Sequence, residues 1–233
     1  AYKQIIRTSI KSFCLKQWCI DLICEQYYNR QKRIYSYKRI CTQFAERQKA
    51  GVGMASPKSC AILGHNPMRF AWGFDEEAAE CHDMKMELAQ QIMVLRQQGV
   101  THFSVACDYG VGLYAAEIIN ALRNDDPELM LFCITPYEEQ ATKWTPALRE
   151  RYFDMLIKCT HMTAVYTHKQ PDAQLKAYRT IIRQSDMVLA VYDPASARGD
   201  DADKAIAYAR ELGKPILTIH PDTLKIEYAC IEV

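Results

Sequence analysis

The sequence predicts an α/β domain built on a doubly wound, mostly parallel β-sheet with helices on both faces. From Ser59 onward, six short apolar runs alternate with five helical patterns, which is the order that a parallel sheet with crossover helices requires. The apolar runs are continuous rather than alternating, as expected for strands buried on both faces. The chain has 233 residues, 49% of them hydrophobic, which is enough for one such domain and an appendage.

Each predicted strand ends where glycine, proline or polar residues interrupt an apolar run. The strands lie at 60–63, 101–107, 129–135, 162–166, 187–192 and 215–219. The helical patterns between them cover about 75–98, 111–123, 145–158, 172–184 and 201–212. Gly99 and Gly213 directly follow two of these helices, as glycine commonly does at helix C-termini.

Residues 1–53 are predicted to form a basic helical extension, separate from a domain at 54–233. The extension has dense apolar positions with helical spacing, and residues 51–57 form a flexible joint. It carries eleven Lys or Arg and three Asp or Glu, a net charge of +8, whereas the remainder carries −7. Such an arm binds nucleic acid or an anionic membrane, docks on the acidic domain, or is simply a solvated helical face. Because Met54 resembles a start of translation, one hypothesis is that the natural domain begins there.

The spacing of the cysteines does not predict a zinc site, and the apolar pattern does not predict a membrane span or a signal peptide. Ten cysteines are present, with no C-x-x-C pair and no Cys/His cluster at zinc spacing. Cys60, Cys107 and Cys133 lie in or beside predicted strands, which favours free buried thiols in a reducing cytosol. No run of eighteen apolar residues occurs, and no apolar signal-peptide segment. We therefore expect a cytoplasmic protein without a membrane span, and predict no metal and no cofactor.

Turns that carry glycine and polar residues follow several predicted strands. Because the carboxyl ends of parallel strands meet at one edge of a sheet, these turns are predicted to form a nucleotide-type pocket. The predicted ligand-binding residues are Gly64, His65, Asn66, Arg69, Trp72, Asp108, Tyr109, Gly110, Gly112, Glu117, Asp193, Arg198 and Gly199.

Several of these residues have two explanations. Gly110 and Gly112 let the backbone approach a phosphate at a helix start, or they form an ordinary tight turn. His65 is a candidate general base or ligand contact, and a turn histidine bonded to the backbone is the favoured alternative. Arg69 and Arg198 match phosphate oxygens, or they belong to surface ion pairs.

The aromatic and acidic candidates also have more than one explanation each. Trp72 and Trp144 would stack on a base, or they pack against the core. Glu117 and Glu139 are the candidate catalytic residues, which would polarise a ribose or activate water. The alternative for Glu117 is a solvated helix carboxylate. Cys107 has no evident partner base, so core packing is favoured over a role as nucleophile.

Taken in order, the motifs resemble the SLOG superfamily, and most closely its small standalone bacterial proteins of unassigned function. The resemblance covers roughly 59–221. After the first strand it is carried by Gly64, His65, Pro67, Phe70, Trp72, Gly73, Asp75 and Glu76. Further matches are Gly110-Val111, Ala115-Ala116-Glu117, Pro136, Glu139-Gln140, Trp144, Arg149, Arg151-Tyr152, Ser185-Asp186, Ala190-Val191-Tyr192-Asp193, Tyr208-Ala209 and Gly213-Lys214-Pro215-Ile216.

This resemblance implies a Rossmann-like sheet that binds nucleotides, nucleotide-derived signals or nucleic acid. Relatives include DNA-processing protein A, which binds single-stranded DNA, and the LOG phosphoribohydrolases, whose Pro-Gly-Gly-x-Gly-Thr signature is absent here. Ala106 and Gly112 stand where the branch has glycine and aspartate, Ala177-Tyr178 replaces an Arg-Asn pair, and Asp200-Asp201-Ala202 replaces Gly-Gly-Thr. Carboxylates there would repel a phosphate unless a metal or an arginine such as Arg198 intervenes.

The leading hypothesis is a cytoplasmic protein that binds a nucleotide or nucleotide derivative as a sensor or regulator, and that forms homo-oligomers. One alternative is an enzyme that hydrolyses the N-glycosidic bond of a nucleotide. A second is a single-stranded nucleic-acid binding protein that uses residues 1–53 for phosphate contacts. A third is a degenerate domain that serves oligomerisation alone.

Overall fold

The computed structural model describes residues 58–229. The predicted extension at 1–53 and its boundary with the domain lie outside the described residues and stay predictions. Within the described residues, no helix is both long enough and apolar enough to cross a membrane.

Seven strands and five α-helices alternate along the described chain. The strands are β1 (Ser59–Gly64), β2 (His102–Val105), β3 (Met130–Tyr137), β4 (His161–Tyr166), β5 (Met187–Val191), β6 (Ile216–Ile219) and β7 (Ile226–Ala229). The helices are α1 (Ala79–Gln97), α2 (Val111–Leu122), α3 (Pro146–Lys158), α4 (Ala173–Gln184) and α5 (Asp201–Glu211). Short 3-10 turns lie at Pro67–Arg69, Gln140–Lys143 and Pro194–Ser196.

The strands form one sheet in the order β4-β3-β2-β1-β5-β6-β7. The pairings from β4 to β6 are all parallel, and β7 is antiparallel to β6. The predicted mostly parallel, Rossmann-like α/β class is therefore confirmed. The seventh strand is not among the predicted elements, because its four residues are alternately half-buried and exposed and make no continuous apolar run.

Continuous apolar strands are explained by two hydrophobic clusters, one on each face of the sheet. Along β1, Cys60 and Ile62 face one cluster, whereas Ala61 and Leu63 face the other. The first cluster packs against α1, α2 and α3, and the second against α4 and α5. In the central strands β1 and β5, side chains on both faces of the sheet are thus buried, and burial of one Ile or Leu side chain contributes about 1.5–3 kcal/mol.

Asp186 ties the start of β1 to the start of β5. Its Oδ2 accepts hydrogen bonds from the backbone N–H groups of Lys58 and Ser59 at 2.9 and 3.0 Å and from the Ser59 hydroxyl at 2.8 Å. Burial opposes ionisation of this carboxyl, but these hydrogen bonds outweigh it and lower its pKa. The contact helps to set the register of two strands that are far apart in sequence.

Two predicted elements are longer than the observed ones for identifiable reasons. The helix expected from about 75 begins at Ala79, because turns occupy the residues before it. The strand expected to reach 107 ends at Val105, since Cys107 has a φ of +51°, which no extended strand residue adopts. The chain therefore turns sharply out of β2, and this turn carries Asp108 to the edge of the sheet.

Gly110 precedes α2 in a conformation that only glycine adopts readily, with φ +107° and ψ −127°. A Cβ here would also lie 2.7 Å from Cγ of Pro67. We predict that Gly110→Ala lowers the free energy of unfolding by about 2 kcal/mol, because strain and a steric clash act together. Chemical denaturation measures the loss.

Gly213→Ala is the matched control, because Gly213 also has a positive φ, +65°, but a Cβ there would meet no atom of a more distant residue within 4 Å. Its loss should be about 1 kcal/mol. Equal losses at the two positions would show that the contact with Pro67 contributes nothing.

Candidate functional site

A cavity of about 350 Å³ lies at the carboxyl edge of the sheet, and we call it the edge pocket. The strand order reverses here, since β1 leads to β2 on one side while β5 pairs with β1 on the other. The loops after β1 and β5 therefore diverge and leave a crevice, the usual ligand position in open α/β sheets. The pocket is lined by Gly64, Asn66, Asp108, Tyr109, Gln140, Trp144, Gln174, Tyr178, Asp200, Asp201 and Ala202.

Asp108 follows the end of β2, and it lines the edge pocket. Its Oδ2 accepts a hydrogen bond of 3.1 Å from the Tyr178 hydroxyl on α4. Its buried Oδ1 has no hydrogen-bond partner among the described residues and lies against Gly112, at the start of α2. Desolvation is the main cause that raises the pKa of this carboxyl to about 6. The pocket therefore contains a carboxyl group whose pKa lies close to neutral pH.

Two glutamine side chains supply amide groups to the edge pocket. Gln140 is only 9% exposed, and its Nε2 donates a 2.9 Å hydrogen bond to the Cys107 carbonyl. Within residues 58–229, neither Oε1 of Gln140 nor Nε2 of Gln174 has a partner, although both atoms are buried. Buried amide groups without partners are uncommon in folded proteins, and they mark positions where a ligand or water is expected.

His65 is a structural residue of the turn after β1. It is buried, its Nε2 accepts the backbone N–H of Asp193 at 3.0 Å, and its ring packs 4.5 Å from that of Tyr192. Burial, followed by the charge of Arg69, lowers its pKa. His65 does not line the edge pocket, so the geometry favours the backbone-bonded turn histidine over the general base.

Arg69 is committed to the chain itself. Its side chain is 7% exposed and lies 2.5 Å from Oδ2 of Asp200 and 3.4 Å from Oδ1 of Asp203. It also donates to the carbonyl and hydroxyl oxygens of Ser196. Burial alone would lower the pKa of this guanidinium, but the two carboxylates raise it above its usual value. Arg69 therefore joins the loop after β1 to the start of α5 and is not available to a ligand.

The backbone between β5 and α5 forms a concave group of N–H donors, and Asp203 fills it. Its Oδ2 accepts from the N–H groups of Arg198, Gly199 and Asp200 at 2.6, 2.6 and 3.1 Å. Its Oδ1 accepts from the Tyr192 hydroxyl at 2.9 Å. Burial would raise the pKa of Asp203, but these hydrogen bonds lower it to about 2. Arg198 contributes its backbone, while its side chain is exposed and outside the pocket lining.

The two candidate catalytic glutamates lie outside the edge pocket. Glu117 is paired with Arg151 at 2.7 Å, and Arg151 also contacts Glu76 at 2.7 Å. Glu139 is 62% exposed and faces His168 at 3.4 Å.

A shallower depression of about 320 Å³ lies beside Arg151, between Phe74 and Leu148. Tyr109 borders both this depression and the edge pocket, and its ring stacks 5.4 Å from that of Phe74. The depression is therefore a neighbouring surface that shares one wall with the edge pocket.

Four of the predicted ligand residues line the edge pocket, namely Gly64, Asn66, Asp108 and Tyr109. Trp72 is buried and stacks on Phe70 at 4.7 Å, so it belongs to the core. Gly110 and Gly112 are buried behind the lining, and Gly199 and Asp193 hold the loop after β5. Of the lining residues absent from the predicted set, Gln174 and Tyr178 come from the crossover helix α4, whose position depends on a strand order that local patterns do not reveal.

One group of described residues has the spacing of metal ligands, namely His65, Asp200 and Asp203. The Arg69 guanidinium already lies between the two carboxylates. The Arg69 side chain therefore supplies the positive charge that a metal ion would otherwise bring to these two carboxylates. The arginine that intervenes is Arg69 rather than Arg198.

Comparison with known proteins identifies related sequences over most of the described domain. The YpsA family model, described as the YspA SLOG family, matches residues 60–224. A UPF0398 protein of Halalkalibacterium halodurans is 32% identical over 114 residues, which are 47% of this chain and 59% of the relative. UPF0398 proteins of Bacillus cereus and Bacillus pumilus are each 28% identical over 58–59% of this chain and 74% of the relative. The first match thus spans little more than half of that relative's length.

The unpartnered carboxyl of Asp108 predicts an unusual dependence of stability on pH. The folded state holds this proton up to pH about 6, whereas the unfolded chain loses it near 3.8. Between these values the folded state binds more protons, so its free energy of unfolding falls as pH rises. Asp108→Asn should remove this loss and stabilise the protein by about 3 kcal/mol at pH 7.5, with little gain at pH 4.

Denaturant unfolding at the two pH values measures this difference. Asp222→Asn, at an exposed position, controls for the removal of one carboxylate. A gain of equal size at pH 4 and pH 7.5, or a loss at pH 7.5, would contradict the assignment of the buried proton to Asp108.

Removal of the Arg69 side chain should be strongly destabilising. Arg69→Ala leaves Asp200 and Asp203 close together without their shared cation, and the expected loss is about 3 kcal/mol in the free energy of unfolding. Arg96→Ala, which breaks a surface pair with Asp126 and Glu128, is the control and should lose much less. Urea unfolding compares them, and a loss for Arg69→Ala no larger than that of the control is the contrary outcome.

Proposed function

Because the chain belongs to the YpsA family, the YspA SLOG family, we propose that it binds a small nucleotide-derived molecule in the edge pocket and acts as a sensor or regulator. The observation that carries the proposal is the position of this pocket at the reversal of strand order. Ligands of open α/β sheets bind at this point because diverging loops leave space there.

The size and lining of the pocket support a ligand with an aromatic base. A volume of about 350 Å³ lies in the range of small-molecule sites. Tyr109, Trp144 and Tyr178 provide ring surfaces, while Gln140 and Gln174 provide amide groups. Stacking surfaces combined with a few fixed hydrogen-bonding groups suit a planar heterocycle.

The first experiment identifies what the protein carries. The full chain is purified and denatured, and the released small molecules are analysed by mass spectrometry. Thermal unfolding is then followed with added nucleosides and nucleotides. We expect a nucleoside-containing compound that raises the melting temperature, because a ligand of the folded state shifts the unfolding equilibrium. If no nucleoside or nucleotide raises it, the proposal fails.

A pair of variants on one helix assigns binding to the edge pocket. Gln174→Met removes the amide from the pocket with little change in size, and it should weaken binding about tenfold. Gln184→Met makes the same change at an exposed position of the same helix, and it should leave affinity unchanged. Isothermal titration calorimetry measures both, and equal affinities would place the ligand elsewhere.

A second candidate function, hydrolysis of an N-glycosidic bond, is favoured by one observation. Asp108 lies in the pocket with a pKa of about 6 and a hydrogen bond from Tyr178, as suits a general acid or base. Such an enzyme would use Asp108 rather than Glu117 or Glu139. Chromatography after incubation with nucleosides and nucleotides distinguishes the two functions, since a hydrolase releases free base and a sensor leaves its ligand intact.

A further inference from the structure

The edge pocket has the position of a nucleotide site, but carboxylates of the protein lie at several of the groups that would hold a phosphate. Nucleotide sites bind phosphate with helix N-termini, concave groups of backbone N–H donors, and arginine or lysine side chains. Here the N–H donors before α5 bond to Asp203, the start of α5 is capped by Asp200, and Arg69 pairs with both carboxylates. We propose, resting on the function proposed above, that the pocket binds an uncharged nucleoside and rejects its phosphorylated form.

The strongest support comes from the N–H donors before α5. Three successive backbone donors, those of Arg198, Gly199 and Asp200, all point at Oδ2 of Asp203 within 3.1 Å. This arrangement is the one that holds a phosphate oxygen in anion-binding loops. Asp203 is part of the chain, and its carboxylate already accepts these three hydrogen bonds. A phosphate would have to displace the carboxylate and break all three.

The N-terminus of α5 is closed by a second carboxylate. Asp200 accepts the N–H of Asp203 at 3.0 Å in a reciprocal capping box, so it occupies the position in which a helix start attracts an anion. Arg69 neutralises these two carboxylates. The Arg69 guanidinium is therefore already paired with carboxylates of the protein itself.

The start of α2 is obstructed in a different way. Asp108 Oδ1 lies so close to Gly112 that a Cβ there would overlap with it. Gly110, Val111 and Gly112 are themselves buried. A phosphate bound to these N–H groups would lie close to the Asp108 carboxylate, and like charges at short distance repel each other.

The charge of the lining leads to the same conclusion. Its carboxylic acids are Asp108, Asp200 and Asp201, and among the described residues that line it there is no lysine, arginine or histidine. What remains for recognition is neutral, namely the amides of Gln140 and Gln174 and the rings of Trp144 and Tyr109. A heterocycle that offers both an N–H donor and an acceptor satisfies these amides without bringing a negative charge into the pocket.

Calorimetric titration of the full chain tests this inference with adenosine, guanosine, cytidine, uridine and their 5′-monophosphates. We expect at least one nucleoside to bind and its monophosphate to bind about tenfold more weakly. A monophosphate that binds as tightly as its nucleoside, or more tightly, overturns this inference and leaves the proposed function standing. If none of the eight compounds binds, this inference fails, and the proposed function is decided by the compounds released from the purified protein.

Asp201 provides a test that does not disturb the capping box. It lines the pocket as the first residue of α5, and Asp201→Asn removes one negative charge with little change in shape. The affinity for the monophosphate relative to its nucleoside should rise about threefold. Glu211→Gln removes the same charge at the exposed far end of this helix, and it should leave the ratio unchanged. A ratio that stays constant in both variants shows that the pocket carboxylates do not set the preference.

Discussion

The edge of the sheet depends on the contact between Arg69 and the two carboxylates that begin α5. Asp200 holds the helix start and Asp203 holds the loop before it, so the two carboxyl groups lie close together. Their repulsion is relieved by a buried guanidinium from the loop after β1. Because β1 and β5 pair in the middle of the sheet, this contact joins the two loops that diverge there. The wall of the edge pocket formed by Asp200, Asp201 and Ala202 is positioned by it.

The position of the pocket is set by the fold, whereas its chemistry is set by the side chains that line it. A Rossmann-like sheet leaves a crevice at the strand reversal whatever the side chains are. In this chain, the backbone N–H donors before α5 bond to the carboxylate of Asp203. Asp108 differs, since Tyr178 satisfies only one of its oxygens. A buried carboxyl that lowers stability at neutral pH is typical of positions retained for function.

Sequence patterns were informative where a residue's role is local and misleading where it depends on a distant partner. His65 as a backbone-bonded turn residue follows from its place in a tight turn. The sequence does not indicate which of Arg69 and Arg198 pairs with the carboxylates, since both residues follow strands and both suit an anion. Of the two side chains, the Arg69 guanidinium is the one that pairs with Asp200 at the helix start, 131 residues away in sequence, whereas Arg198 bonds there through its backbone N–H. Similarly, the sequence does not reveal the ion pair that Glu117 forms with Arg151, which is 34 residues further along the chain.

By itself, the sequence determined the class of the sheet and the order of its elements, because continuous apolar runs and helical periodicity report burial on two faces residue by residue. It also determined that glycine-rich and polar turns follow the strands. Only the tertiary structure decided which turns meet, because strand order is set by the packing of helices over the whole sheet. That packing brings Gln174 and Tyr178 from α4 to the end of β2, and it places Asp203 in the group of N–H donors before α5. Contacts between distant residues of this kind leave no periodic pattern in the chain.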